Sequence, residues 1–158
     1  MVINVILNGK KIQKDVEPDQ LLLDFVRECG CCSVKRGCET ANCGLCTVWM
    51  DGRPVLSCSV LAVRADGHEI TTLEGLQKEA KEFGAFLSNE GGDQCGFCNP
   101  GFIMNVLAME KELSDPTEEE IREYLSGNLC RCTGFVSQSR SIQKYLQYKK
   151  TEEGGKDA

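Results

Sequence analysis

Long apolar runs are missing from this chain of 158 residues. The longest, near Val55–Val63, is interrupted by Ser57 and Ser59 and falls well short of the ~18 residues a membrane span requires. A basic excess is missing too. The chain has 18 Lys and Arg against 24 Asp and Glu, a net charge of −6, which disfavours a nucleic-acid partner because phosphate binding rests on Lys and Arg. No Gly-rich loop follows a strand pattern, so no flavin or nucleotide site is expected within the chain. Histidine is reduced to one residue, His68 in the turn-like "ADGHE", which reads as surface decoration rather than a ligand. The opening "MVINVILNGKK" lacks the basic-then-apolar order of an export signal, so a cytoplasmic location is expected. Internal repeats and long low-complexity segments are lacking as well.

What the chain has is cysteine, 11 residues of it. In a reducing compartment so many thiols point to metal binding rather than to a disulfide framework.

The hydrophobic pattern changes character along the chain. "VINVILNGKKIQKDV" alternates around Asn8-Gly9, and "TVWMDGRPVLSCSV" does so around Asp51-Gly52; each reads as a β-hairpin. Between them "DQLLLDFVREC" places Leu21, Leu22, Phe25 and Val26 on one helical face, with Asp19 as the expected N-cap. "HEITTLEGL" reads as a further strand and a short helical start. After about Leu76 helices take over. "QKEAKEFGAFLSNEGG" ends at Gly91-Gly92, and "PGFIMNVLAMEKEL" opens on Pro100. "PTEEEIREYLSG" carries a capping box from Thr117 to Glu120, and "SQSRSIQKYLQYKK" is a fourth helix, basic near its end. The division expected is a β-rich unit over residues 1–77, a helical unit over 78–150 and a frayed tail over 151–158.

The thiols fall into two sets. Cys38, Cys43, Cys46 and Cys58 are spaced C-x4-C-x2-C-x11-C, and the first three have plant-type [2Fe–2S] spacing. A loop so spaced wraps a cluster with its N–H groups aimed at the sulfurs, and Gly44 permits the close approach. Zinc sites usually pair two C-x2–4-C units, which this set does not. Cys95, Cys98, Cys130 and Cys132 form the second set, C-x2-C-x31-C-x-C. Cys130 and Cys132 are too close to bridge one another, so "GNLCRCTGF" is half of a site whose other half follows Gln94. Spacing leaves this set open between a cluster and tetrahedral zinc.

The segments "LLDFVRE", "SVKRGCETANCGLCTVWMDGRPVLSC", "EITTLEGL", "QCGFCNPGFIM" and "PTEEEIREYLSGNLCRCTGF" together resemble the iron–sulfur subunit of the xanthine dehydrogenase (molybdenum hydroxylase) family, over roughly residues 2–135. The resemblance implies an α+β chain: an N-terminal β-grasp ferredoxin-like domain, then an all-α four-helix domain, each holding one [2Fe–2S] cluster. It also decides the second set in favour of iron. It implies molybdopterin on a large partner subunit and FAD on a medium one, in a heterotrimer or a dimer of heterotrimers. Electrons would pass from molybdopterin through the two clusters to the flavin during hydroxylation of a purine, nicotinate or another N-heterocycle. Gln94 matches the family glutamine that hydrogen-bonds the pterin, and Cys132 matches the ligand that approaches it. Gly96, Gly101 and Gly134 would serve close backbone approach. Two other functions fit the thiols taken alone, a stand-alone ferredoxin-type carrier and a zinc-stapled interaction module.

The sequence also departs from the family pattern. Glu39 and Ala41 stand where the family has Gly, and a positive φ at Ala41 would cost roughly 1–2 kcal/mol unless the loop adjusts, which is the expectation. Asn99 replaces a common Thr. "FVSQSRSI" departs from the usual T-G-Y-x-x-I continuation, which leaves the start of the last helix open. Cys29, Cys31 and Cys32 stand where apolar or small residues are usual and read as buried small hydrophobes. Trp49, on a strand, reads as a packing or subunit-contact residue.

Overall fold

The computed structural model describes residues 1–133 and 135–154, without the side chains of residues 153 and 154. Strands β1 (Val2–Leu7) and β2 (Lys10–Asp15) pair antiparallel across Asn8-Gly9, whose φ angles of 50° and 77° suit the tight hairpin turn the pattern implied. β3 (Thr47–Met50) and β4 (Arg53–Leu56) do the same across Asp51-Gly52, with φ of 51° and 79°. β5 (Glu69–Thr71) lies between the hairpins, parallel to β1 and antiparallel to β3. The result is a mixed sheet ordered β2-β1-β5-β3-β4.

Helix α1 (Leu22–Glu28) packs on this sheet. Leu22, Leu23, Phe25 and Val26 are buried, while Leu21 is only half-buried. Asp19 does not cap α1. Leu21 occupies the cap position in extended conformation, bridged to Leu61, and the Leu22 N–H donates to the Val60 carbonyl at 2.7 Å. A neighbouring segment thus satisfies the helix start that a side chain was expected to satisfy.

Helices α2 (Gln77–Asn89), α3 (Asn99–Glu112), α4 (Glu118–Tyr124) and α5 (Phe135–Gly154) follow. Pro100 sits in the first turn of α3, and both arms of the Thr117–Glu120 capping box are formed. α5 begins earlier than expected and continues through Thr151 to Gly154, so the first half of the expected frayed tail is helical. Bonds from Tyr148 Oη to Glu152 and from Thr151 Oγ1 to the Tyr148 carbonyl tie down that last turn. Residues 155–158 lie outside the described residues. No helix among the described residues is long and apolar enough to cross a membrane.

Among the described residues there are two apolar cores. The first gathers Ile3, Val5, Phe25, Val48 and Ile70 between sheet and α1. The second gathers Phe83, Met104, Leu107, Ile142 and Tyr145 between α2, α3 and α5, with Phe83 and Tyr145 edge to face at 5.1 Å. Trp49 belongs to the second core although it sits on β3. Its Nε1 donates to the Met104 carbonyl at 3.0 Å and the Lys111 ammonium lies 4.1 Å from its ring, so it clasps the sheet to α3. The packing reading of Trp49 holds.

Candidate metal centres

Cys38, Cys43 and Cys46 lie on the loop between α1 and β3, and Cys58 lies in the short 3₁₀ turn Ser57–Ser59 directly after β4. Cys43 and Cys46 are buried, Cys38 and Cys58 half-buried. The sulfurs meet in pairs. The Cys43 thiol hydrogen-bonds Cys38, and the Cys46 thiol hydrogen-bonds Cys58. Backbone N–H groups of Thr40 and Asn42, together with the Cys43 thiol, draw the Cys38 thiol down to about 6. Burial, with crowding by Cys58, pushes Cys46 up to about 11. Burial also raises Cys43, against a donated Leu45 N–H.

The second set is built the same way. Cys98 occupies the N-cap of α3, while Cys130 and Cys132 lie on the segment between α4 and α5. Cys98 hydrogen-bonds Cys130, and Cys132 hydrogen-bonds Cys95. Burial, then the neighbouring Cys130, pushes Cys98 up to about 12, and Cys95 raises Cys132. Cys95 and Cys132 are exposed. Asn99 ties its helix start back to Asp93 at 3.0 Å, a brace across the C-x2-C turn. Gly96 has a φ of 72°, so the turn needs the freedom expected of it. Gly134 lies outside the described residues.

The two sets converge on one seam. A cavity of about 540 Å³ is lined by six of the eight thiols, among them Cys38, Cys43, Cys98 and Cys132. The Leu129 N–H donates to the Cys43 carbonyl at 3.0 Å, joining the two ligand loops by backbone. A Cβ at Gly101 would stand 2.3 Å from the Gly44 carbonyl oxygen, so α3 can lie against the first loop only because position 101 is glycine. Buried Thr47 and Asn128 and half-buried Asn105 form a polar network here. The sequence reading missed it; its signal was the Gly-Asn pair just ahead of Leu129-Cys130.

Thiols crowded in pairs, with N–H donors aimed at them, are a donor set for a soft cation that discharges them. Among the described residues no three His, Cys, Asp or Glu side chains converge on one ion position. Pairwise meeting suits a two-iron unit, which takes two thiolates on each iron. The residues therefore fit the group.

Several expectations need amending. The loop does not adjust around Ala41, which keeps a φ of 56° in the left-handed region, because N–H donors on both sides of it fix the turn around Cys38. Glu39 lies outside that region. Cys31 is buried and receives a bond from Asn8, and Cys29 packs against the first core, but Cys32 is exposed and is no buried hydrophobe. His68 is half-buried and paired with Asp51 at 2.5 Å, a turn brace. Gln94 is exposed on the same edge as Cys95 and Cys132, where Phe97 and Phe135 are about half-exposed.

Residues 5–82 match the family model described as a 2Fe-2S iron-sulfur cluster binding domain, and residues 72–143 match the [2Fe-2S] binding domain. The chain is 45% identical over 140 residues to the nicotinate dehydrogenase small FeS subunit of Eubacterium barkeri, covering 86% of this chain and 88% of that one. It is 44% identical over 142 residues to the xanthine dehydrogenase iron-sulfur-binding subunit of Escherichia coli O157:H7, covering 85% and 87%. Among solved structures, quinoline 2-oxidoreductase from Pseudomonas putida 86 superposes with a TM-score of 0.84 at 40% identity, over 90% of each chain.

Proposed function

The chain belongs to the iron–sulfur subunits of the xanthine dehydrogenase, or molybdenum hydroxylase, family, and on that premise we propose how its residues carry electrons. It is the electron-transfer subunit of an oxidoreductase and carries two [2Fe–2S]-binding domains. Cys38, Cys43, Cys46 and Cys58 hold one cluster. Cys95, Cys98, Cys130 and Cys132 hold the other. Each cluster supplies a one-electron exchange between ferric and ferrous iron.

The chain supplies geometry and potential. Residues 1–77 act as a β-grasp ferredoxin domain and 78–150 as a four-helix domain, each with its own apolar core. The exposed edge that carries Gln94, Cys95 and Cys132 meets molybdopterin on a large partner subunit, where Gln94 hydrogen-bonds the pterin. The half-exposed Phe97 and Phe135 give that edge the apolar contact a partner would cover. The first quartet faces a FAD-binding medium subunit, within a cytoplasmic heterotrimer or a dimer of heterotrimers. The substrate class is an N-heterocycle such as a purine or nicotinate.

The observation that carries this reading is the pairwise meeting of the eight thiols, six of them lining one cavity, with the Leu129–Cys43 hydrogen bond joining the loops. The test is metal analysis and EPR on the natively purified complex. About four irons per chain and two distinct [2Fe–2S] signals are expected. Cys132→Ala should abolish one signal, leave the other, and stop substrate-driven reduction. Zinc in a colourless chain, or loss of both signals together, would overturn it.

A further inference from the structure

Asn128, two residues before Cys130, is only 5% exposed, and its side chain bonds Asn105 and Gly44. Its amide points across the seam, where Nδ2 donates to the Gly44 carbonyl at 3.4 Å. Asn105, on α3, fixes the amide's orientation by donating to Asn128 Oδ1 at 2.6 Å. Asn105 also reaches Thr47 Oγ1 at 3.4 Å, and that hydroxyl donates to the same Gly44 carbonyl at 2.8 Å. Two side chains from opposite sides of the seam therefore converge on one carbonyl.

That carbonyl belongs to the Gly44–Leu45 peptide. A trans peptide sets its C=O and N–H in opposite directions. The N–H at the far end of this one, from Leu45, is directed at the Cys43 sulfur and opposes the rise of that thiol. Holding the oxygen aims the N–H, and hydrogen bonds in series polarise one another. Gly44 has a φ of 72°, and a Cβ there would stand 2.6 Å from Asn128 Nδ2, so the contact requires glycine at that position.

We propose that Asn128 is a positioning residue for the first centre: through the Gly44–Leu45 peptide it sets the N–H···S bond on Cys43, and so ties that centre's potential to the loop bearing Cys130 and Cys132. Asn105 and Thr47 are the other members of the device. An N–H···S bond favours the reduced, more negative state of an iron–sulfur centre, so weakening it lowers the potential. The inference rests on the two-cluster reading above.

The experiment is an EPR-monitored redox titration of the intact complex, with the signals assigned by Cys132→Ala. Asn128→Ala should shift the first centre's midpoint to a more negative potential and leave the second unmoved, although Asn128 is two residues from Cys130. Thr47→Val, which removes the hydroxyl donor at similar volume and leaves the Thr47 N–H donor at 3.4 Å, should shift it the same way. Asn105→Ala should give a smaller shift of the same sign, and it decides the matter if Asn128→Ala does not assemble. Unchanged potentials, equal shifts in both centres, or a shift of the second alone would overturn the proposal. Absence of two [2Fe–2S] signals from the unaltered complex would instead overturn the two-cluster reading.

Discussion

Ala41→Gly should make this protein more stable, contrary to the usual effect of adding glycine. Ala41 sits at a φ of 56° on the loop that wraps Cys38. A left-handed conformation costs a non-glycine residue about 1–2 kcal/mol. Glycine removes that cost but gives back about 0.4–1 kcal/mol through the freer unfolded chain. Ala41 is exposed, so its methyl group contributes little packing. The net gain is about 0.5–1 kcal/mol, or roughly 0.3–0.5 M in the urea midpoint at an ordinary slope. Glu39→Gly is the internal control. Position 39 has no left-handed strain to relieve and its side chain pairs with Arg36 at 3.6 Å, so glycine there should lower the midpoint. Ala41→Val should lower it as well, because a β-branched residue tolerates this conformation least. Far-UV circular dichroism and loss of the visible absorption would follow both transitions. An Ala41→Gly midpoint at or below the parent, with unchanged slope, would refute the strain argument.

Trp49→Phe keeps the ring but loses the bond to the Met104 carbonyl and should cost about 1–2 kcal/mol by urea titration. Lys111→Ala, removing only the cation over that ring, should cost less than about 1 kcal/mol. Gly101→Ala forces a methyl group onto the Gly44 carbonyl and should cost about 1–3 kcal/mol or more, read as a lower midpoint with faster loss of visible colour. Burial pushes Glu74 up, but bonds from Ser33 and Thr72 outweigh it and hold the carboxyl below its ordinary 4.5. Because folding lowers this pKa, its stabilisation is complete above 4.5 and is lost as pH falls through the lower folded value. The stability gap between the parent and Glu74→Gln should therefore close below about pH 4.5, in urea midpoints taken across pH; a gap constant down to pH 3 would contradict it.

Local chemistry was legible in the residues alone. Asn8-Gly9 and Asp51-Gly52 announced their hairpins, Thr117 and Glu120 their capping box, and Pro100 the start of α3, because each effect acts within four residues. The spacing of the first thiol set named its chemistry, and the family pattern of flanking residues decided the second set and named the partners to look for. Sequence reading failed where a distant segment did the work of a local one. Asp19 was passed over because Val60 supplied what a cap would have supplied, and Ala41 kept its strained φ because the turn around Cys38 is held from both sides.

Tertiary structure alone decided the rest. It placed β5 beside β1, drew Trp49 out of its sheet's core into the helical one, and brought Asn128 to Gly44 across 84 positions of chain. No periodicity encodes such contacts. They arise only when loops close and two surfaces pack, and at this seam the packing is permitted by the missing side chains of Gly44 and Gly101.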